Sequence, residues 1–235
     1  MTNALSIIGI SGLSIVAFQA LAAHAAAGQR DQLCVEISTA WRLLLVLLVP
    51  IASGLLVFSE PVTRLLFEDG RFTPADSSAV ARLLVVYVGV VVGTGLGDLL
   101  SRTLYAMHDT RTPVVIGLAG FAIAVALKFW LVPRLGAAGL AAATSAFYLL
   151  NPAALAAVLL RRLGPAMLAG TPGCLLRSSV STAAACLAAY CTGQLASPFA
   201  TLPAIAVGAA TYAVMLWLLG DEFARRWTRS SFGSP

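Results

Sequence analysis

Long uninterrupted apolar runs constrain this chain more than any other feature. Seven of them alternate with short polar joints, and most approach the ~20 residues that a helix needs to cross ~30 Å of hydrocarbon. They lie at Leu5–Ala26, Leu43–Phe58, Ala79–Leu100, Val114–Pro133, Leu140–Leu160, Leu175–Leu195 and Leu202–Leu219. The pattern predicts an all-α, polytopic integral membrane bundle of about seven transmembrane helices.

The composition argues against a soluble protein. Of the 235 residues, 59% are hydrophobic and only 11% are charged, whereas a soluble domain has about 25% charged residues to face water. The net charge of +5 is carried by bases spread singly between the apolar runs, so we expect membrane lipid as the surroundings and no nucleic acid partner. Because no nucleophile–base arrangement or metal-ligand spacing occurs, we expect no enzymatic activity, no cofactor and no metal site.

Two polar joints carry signals for helix starts. Thr73 is expected to cap a helix that opens at Pro74, with Asp76 as the reciprocal partner. In the following joint, Thr112 is expected to cap a helix that opens at Pro113. These residues fix where helices begin and do not by themselves indicate a ligand.

The longest joint is compatible with two local structures, and the basic residues in the joints predict how the chain is oriented in the membrane. The longest joint, 28–42, mixes charged and apolar residues, which suits either an amphipathic interfacial helix or a solvated loop. The second and third helices are expected to continue to Phe67 and Met107. With the C-terminus in the cytoplasm and the N-terminus outside, ten basic residues lie on the cytoplasmic side and five outside, as the positive-inside rule favours.

Polar groups at hydrocarbon depth are the candidate functional residues, because they are costly there. Asp98 can pair with Arg102, four residues further along the same helix face, or with Lys128 of the next helix. A packing role for Asp98, with Lys128 extending to the interface, and a role in transport both remain open. Asn151 adds a polar side chain beside Pro152, which is expected to kink its helix.

A stripe of small residues is expected to pack helices together. Gly89, Gly93 and Gly97 form a doubled GxxxG pattern, which lets a neighbouring backbone approach closely. Pro50, inside the second apolar run, is expected to produce a second kink.

Several joints and their flanking helices resemble a known family. The Phe-Glu-x-Gly-x-Phe-Thr motif at 67–73 and the Asp-Thr-Arg-Thr-Pro motif at 109–113 stand beside the flanking stretches 41–50, 101–108 and 131–141. In combination they resemble the second half of the bacterial lipid II flippase family (MurJ, also called MviN) of the multidrug/oligosaccharidyl-lipid/polysaccharide exporter superfamily.

The resemblance implies a fourteen-helix protein with two six-helix lobes and two terminal helices. Such a protein flips an undecaprenyl-pyrophosphate-linked sugar to the outer leaflet by alternating access, in the inner membrane. The present helices then correspond to the last seven, divided into a second lobe of five helices (1–164), two terminal helices (165–220) that line a lipid-tail groove, and a cytoplasmic basic tail (221–235). Candidate headgroup-binding residues are Asp98, Arg102, Arg111, Lys128 and Asn151.

The sequence departs from the family pattern where charge matters. The first lobe, with the arginines that hold the pyrophosphate, is not within it, and Thr2 stands where the family has a cavity arginine. Asp98 stands where the family commonly has lysine, and Lys128 where it commonly has asparagine. We therefore hypothesise that Asp98 and Lys128 form a compensating pair.

Two functions fit these observations. The chain is either half of a flippase, working with a first-lobe partner or by self-association, or a degenerate copy that serves as a structural membrane subunit. The intact helix-start signals favour the first, and the departures in charge favour the second.

Overall fold

The computed structural model describes residues 29–67, 73–194 and 201–218, which contain helices and turns and no strand. The helices are α1 (Arg30–Phe67), α2 (Pro74–Ala106), α3 (Arg111–Leu135), α4 (Ala137–Leu163), α5 (Thr171–Gln194) and α6 (Thr201–Leu218), with a 3₁₀ turn at Pro165–Leu168. Helices α1 to α5 are long and apolar enough to cross a membrane, and α6 is a shorter apolar helix. The predicted all-α membrane architecture is confirmed.

Six of the seven predicted apolar segments coincide with α1 to α6. The first predicted segment, Leu5–Ala26, lies outside the described residues. So do residues 68–72, which make up most of the Phe-Glu-x-Gly-x-Phe-Thr motif, and the tail at 221–235.

The joint at 28–42, for which two structures were open, is almost entirely helical. Helix α1 begins at Arg30 and runs through the joint into the apolar segment without interruption. Leu33 and Ile37 are buried on one face, whereas Asp31 and Gln32 are exposed. The stretch is therefore helical from Arg30 onward rather than a loop, and its position at the membrane interface stays a prediction.

The first predicted helix start is confirmed. The backbone N–H and the hydroxyl of Thr73 both donate to the Asp76 carboxylate, at 3.0 and 2.7 Å. In return, the Asp76 N–H donates to the Thr73 hydroxyl at 3.4 Å. This reciprocal pair satisfies N–H groups that have no partner within the helix.

The second helix start differs from the prediction. Helix α3 begins at Arg111, two residues before Pro113, and Thr112 is already inside it. The capping acceptor is Asp109, whose carboxylate receives the Thr112 N–H at 2.9 Å and the Thr112 hydroxyl at 2.6 Å. The prediction of Thr112 as the cap is wrong because an ionised carboxylate is a stronger acceptor than a hydroxyl.

Helix α2 ends in a tight turn that positions Asp109. His108 adopts a φ of 58°, the Asp109 N–H donates to the Leu104 carbonyl at 2.9 Å, and the His108 N–H donates to the Tyr105 carbonyl at 3.0 Å. These two bonds are those of a Schellman motif, with a histidine in the left-handed position that glycine usually takes.

The chain divides into two compact units. The first comprises the described residues up to Leu44 together with Val86–Thr171, and the second comprises Leu45–Val85 together with the described residues from Pro172 onward. Helices α1 and α2 therefore each contribute one part to either unit. The division of the chain at residues 164 and 220 stays a prediction.

In the first unit, α3 and α4 form an antiparallel hairpin. The two helices are joined at Gly136, whose φ of 57° suits glycine. A Cβ at Gly139 would lie 2.6 Å from the Leu131 carbonyl oxygen, and a Cβ at Gly120 would lie 3.2 Å from the Phe147 ring. Small residues thus bring the two helices close together.

In the second unit, α5 and α6 pack against each other and against the second half of α1. A Cβ at Gly208 of α6 would lie 3.2 Å from the Ala189 Cβ of α5. Further along, Val46, Cys174 and Leu216 form a buried cluster, and Tyr212 packs against it. Helix α1 contributes Val46, α5 contributes Cys174, and α6 contributes Leu216 and Tyr212.

Candidate functional site: a mid-helix ion pair beside a proline break

Asp98 and Arg102 form an ion pair within α2. The Arg102 Nε donates to both carboxylate oxygens of Asp98, at 3.0 Å each. The side chains are 28% (Arg102) and 31% (Asp98) exposed, so the pair is partly accessible from outside the helix. Asp98 lies eight residues before the end of α2 at Ala106, which at ~1.5 Å per residue is about 12 Å into the helix.

Lys128 does not join this pair. Within the described ranges, the ion pair of Asp98 is with Arg102, so the hypothesised Asp98–Lys128 pair is not formed. A partner one turn away on the same helix needs only the two side chains to be ordered, whereas Lys128 belongs to α3.

The surroundings of Lys128 favour extension towards an interface. Lys128 is half-buried and lies seven residues before Leu135, about 10 Å from the end of α3. In the same terminal region, the Arg134 guanidinium lies 4.2 Å from the centre of the Trp130 ring. Tryptophan and arginine at a helix end are typical of the membrane–water interface.

Of the three glycines in the stripe, Gly93 makes the closest approach to α4. A Cβ there would lie 1.8 Å from the Tyr148 carbonyl oxygen, so only glycine fits. This carbonyl is the one that Pro152 leaves without an intrahelical donor, because proline has no N–H to give to the residue four positions earlier. The backbone of α2 therefore packs directly on this break in the hydrogen-bond ladder of α4, which is itself a continuous helix.

The other two glycines of the stripe contact α4 less closely. A Cβ at Gly89 would lie 2.9 Å from the Ser145 Cβ, and a Cβ at Gly97 would have the Pro152 Cβ at 4.0 Å as its nearest neighbour. The Ser145 hydroxyl donates to the Val86 carbonyl of α2 at 2.5 Å. Residues further along α2 contact residues further along α4, so the two helices run parallel.

Asn151 lies beside this contact. It precedes Pro152, and Asp98 follows Gly97, so Asn151 and Asp98 lie at a similar depth in the parallel pair. The Asn151 Oδ1 is buried and has no hydrogen-bond partner in the described part of the chain. A buried polar atom without a partner is costly in an apolar medium, so Asn151 stays a candidate for contact with a further polar group.

Arg111 lies in a different place, at the start of α3, where it is exposed. The end of α4 comes to this position: Arg162 donates to the Asp109 carboxylate at 2.7 Å and to the Thr112 hydroxyl at 3.3 Å. Arg30 at the start of α1 donates to the Arg162 carbonyl. Three helix ends are therefore joined beside Arg111.

The hydrogen bonds at this end stabilise the ionised form of Asp109. They lower the pKa of its carboxyl from 3.8 to about 2, first through the Thr112 hydroxyl, then through the Thr112 N–H, and to a smaller extent through Arg162. Asp109 therefore stays charged at any pH near neutrality.

The sequence had pointed to Arg102, Arg111 and Lys128 as one set of cations, and the structure separates them. Arg102 lies within α2, Arg111 at the start of α3, and Lys128 seventeen residues further along α3, about 25 Å away from Arg111. Arg162 was not among the predicted site residues. The only available signal was its position next to a helix end, which many arginines share.

The site combines an ion pair with a buried amide oxygen that has no hydrogen-bond partner in the described part of the chain. The described residues contain no group of three or more His, Cys, Asp or Glu that could hold a metal ion. An ion pair inside a membrane-length helix, beside a neighbouring helix that contains a proline, is a feature of multi-pass helical membrane proteins. The fold and site together define that class.

Comparison with known proteins gives the family. The family model "Lipid II flippase MurJ" matches residues 1–208, and the chain therefore belongs to the lipid II flippase MurJ family. The lipid II flippase of Burkholderia cenocepacia is 30% identical over 198 residues, which cover 78% of this chain and 38% of the relative. The probable lipid II flippase of Rhizobium meliloti is 38% identical over 99 residues, or 42% of this chain and 18% of the relative.

A solved structure shares the fold. Lipid II flippase MurJ in an inward closed conformation matches 95% of this chain with a TM-score of 0.74 and 21% identity. The match covers 45% of that solved chain. This chain therefore spans less than half the length of the relatives and of the solved structure that it resembles.

Proposed function

We propose that this chain forms the second half of a transporter that moves a lipid II-type, undecaprenyl-pyrophosphate-linked sugar across the bacterial inner membrane by alternating access. Membership of the MurJ family and the names of the relatives support the substrate class. Because the aligned part covers less than half of the solved relative, the first lobe is supplied by a further segment, a partner chain or a second copy.

The observation that carries the proposal is the partly exposed Asp98–Arg102 pair. In the absence of substrate, Asp98 neutralises Arg102, so the charge of Arg102 is compensated inside the helix. A pyrophosphate offers more negative charge than one carboxylate, and its geometry suits an arginine fork. Arg102 can therefore exchange Asp98 for the headgroup and regain Asp98 when the headgroup leaves.

The other polar residues take supporting roles in this proposal. Arg111, at the exposed start of α3, attracts the anionic headgroup from solution. Asn151 offers its unpaired amide oxygen to the sugar at the depth of Asp98. Lys128 acts at the opposite end of α3. With the C-terminus cytoplasmic and the N-terminus external, Arg111 faces the cytoplasm, where the substrate enters.

A structural subunit is the second candidate, and the same ion pair favours it. Asp98 already offers both carboxylate oxygens to Arg102, as in a pair that only stabilises a helix. On this account the chain transports nothing alone and completes a membrane assembly. A flippase for another polysaccharide lipid is a variant of the first candidate and differs only in the sugar.

A charge swap separates the two candidates. Asp98→Arg combined with Arg102→Asp restores an i,i+4 pair but moves the cation by one turn. The same swap at Glu60 and Arg64, an exposed i,i+4 pair at 2.6 Å, is the matched control. Each variant is reconstituted in liposomes with a separately expressed first half of a MurJ relative. Transport is read from headgroup-labelled lipid II with a membrane-impermeant quencher.

If Arg102 holds the headgroup, the swap at 98 and 102 keeps stability near that of the wild type and lowers transport at least tenfold, while the control swap changes neither. If transport by the 98/102 swap equals that of the wild type, the pair is structural. Absence of lipid II movement by the wild type, with the same first half present and the complex shown to assemble, would contradict the transporter proposal itself.

A further inference from the structure

Pro50 leaves a backbone carbonyl of α1 without its usual partner. Proline has no N–H, so the carbonyl of Val46, four residues earlier, receives no intrahelical hydrogen bond at this point. Val46 is only 6% exposed, and Pro50 is half-buried inside a membrane-length helix. A bare carbonyl is costly in such a medium, so a donor from another element is needed.

Tyr212 of α6 supplies that donor. Its hydroxyl donates to the Val46 carbonyl oxygen at 2.6 Å. The same hydroxyl lies 2.9 Å from the Ser178 Oγ of α5. Ser178 is fully buried, and Cys174 and Leu216 close the cluster around Val46. All of these residues belong to the second compact unit.

The direction of the two bonds follows from proton counting. A carbonyl can only accept a hydrogen bond, and a tyrosine hydroxyl has one hydrogen to donate. Tyr212 therefore uses this hydrogen in its bond to the Val46 carbonyl. Ser178 must then donate to the Tyr212 oxygen. The resulting chain runs from α5 through α6 to α1 and ends on the carbonyl that Pro50 exposes.

We propose that Tyr212 is a positioning residue, a clamp that ties the terminal helix pair α5–α6 to the proline break in α1. Because Pro50 gives the Val46 carbonyl no N–H, the Tyr212 hydroxyl replaces the missing donor. A change in the bend of α1 at Pro50 moves this carbonyl relative to α6 and therefore breaks the clamp. The terminal pair thus holds the break in one geometry. The proposal does not rest on the proposed function, since its readouts concern the chain alone.

A double-mutant cycle between Tyr212 and Pro50 tests the clamp. Tyr212→Phe removes one hydroxyl and keeps the ring, and Pro50→Ala returns an N–H to the Val46 carbonyl. Unfolding of the full chain is followed by SDS titration in mixed micelles. Tyr212→Phe should raise the unfolding constant about three- to tenfold, in line with hydrogen bonds between membrane helices. In the Pro50→Ala background the same change should raise it less than twofold.

Two matched controls make the result specific. Tyr87 of α2 is 37% exposed. Removing its hydroxyl by Tyr87→Phe should change the unfolding constant less than twofold. Pro61→Ala removes the other proline inside α1 and should leave the effect of Tyr212→Phe unchanged. If Tyr212→Phe has the same effect in the Pro50→Ala, Pro61→Ala and wild-type backgrounds, the hydroxyl does not serve the proline break and the proposal fails.

A second readout is local and does not depend on global unfolding. Cys174 is 7% exposed and lies in the cluster around Val46. The test chain has alanine in place of the other cysteines, Cys34, Cys186 and Cys191. Modification of Cys174 by a membrane-permeant maleimide then reports opening of the clamp. Tyr212→Phe should speed modification about three- to tenfold, and Tyr87→Phe should not. Equal modification rates for both variants would overturn the proposal even if stability changes.

Discussion

Replacing Gly93 by alanine adds one methyl group at the tightest helix contact of the first unit. The new Cβ would lie 1.8 Å from the Tyr148 carbonyl oxygen and 2.3 Å from the carbonyl carbon. Ordinary van der Waals contact begins at 3.4 Å, so the carbonyl must retreat by about 1.6 Å. The obstacle is backbone, and no side-chain rotation relieves it. Helices α2 and α4 must therefore separate.

The expected cost exceeds the gain in helix propensity. Overpacking of this kind costs about 1–3 kcal/mol or more, and the separation also weakens neighbouring contacts. Alanine in place of glycine returns at most about 1 kcal/mol within a helix. We expect Gly93→Ala to lose about 2 kcal/mol of unfolding free energy, which is roughly a thirtyfold change in the unfolding constant.

The assay is SDS titration in mixed micelles, with the other glycines of the stripe as internal standards. Gly97→Ala has its nearest neighbour at 4.0 Å and should be neutral or stabilising. Gly89→Ala meets the Ser145 Cβ at 2.9 Å and should fall between the two. If Gly93→Ala is as stable as Gly97→Ala, the close backbone contact between α2 and α4 is not formed and the packing argument is refuted.

Three further changes test separate contacts, all by the same SDS titration. Ser145→Ala removes the hydroxyl that donates to the Val86 carbonyl and should cost about 0.6 kcal/mol, with 1.7 as a ceiling; no loss would contradict this bond. Because the folded pKa of Asp109 is lowered to about 2 from 3.8, its stabilising effect is present above pH 4 and is lost towards pH 2. The stability difference between wild type and Asp109→Asn should shrink over that range, and a constant difference would contradict the pKa. His108, with its φ of 58°, should tolerate glycine and lose about 1–2 kcal/mol with valine; equal stability of the two variants would refute the left-handed turn.

The elements of this fold were largely predictable because hydrocarbon imposes a simple rule. Within hydrocarbon, an apolar run of membrane length has one low-energy structure. This structure is a helix, in which the backbone groups form hydrogen bonds with one another. The predicted runs from Leu43 onward therefore coincide with α1 to α6. The capping pair at Thr73 and Asp76 was predictable for a similar reason, since all its partners lie within four residues.

Predictions that required a choice among several polar partners were less successful. The sequence predicted Thr112 as a cap, whereas the structure uses the Asp109 carboxylate, which is the stronger acceptor. Lys128 was considered as the partner of Asp98, and the structure pairs Asp98 with Arg102. In both cases the residue types were known, and the outcome depended on distances of a few ångströms that periodicity does not contain.

The prolines show most clearly where the sequence stops being sufficient. Pro50 and Pro152 each expose one backbone carbonyl, and both breaks could be located from the sequence alone. The two carbonyls are nevertheless treated differently: Val46 receives a hydroxyl from Tyr212, and Tyr148 packs against the backbone at Gly93.

A hydroxyl donor restores most of the hydrogen bond that proline removed, whereas a glycine Cα–H contact is worth about half as much. The break in α4 is therefore less well satisfied than the break in α1. Of the two, the α4 break lies beside the Asp98–Arg102 pair and the unpaired Asn151 oxygen. Under the proposed function, it is the break at which a bound polar group gains most by donating a hydrogen bond to the Tyr148 carbonyl.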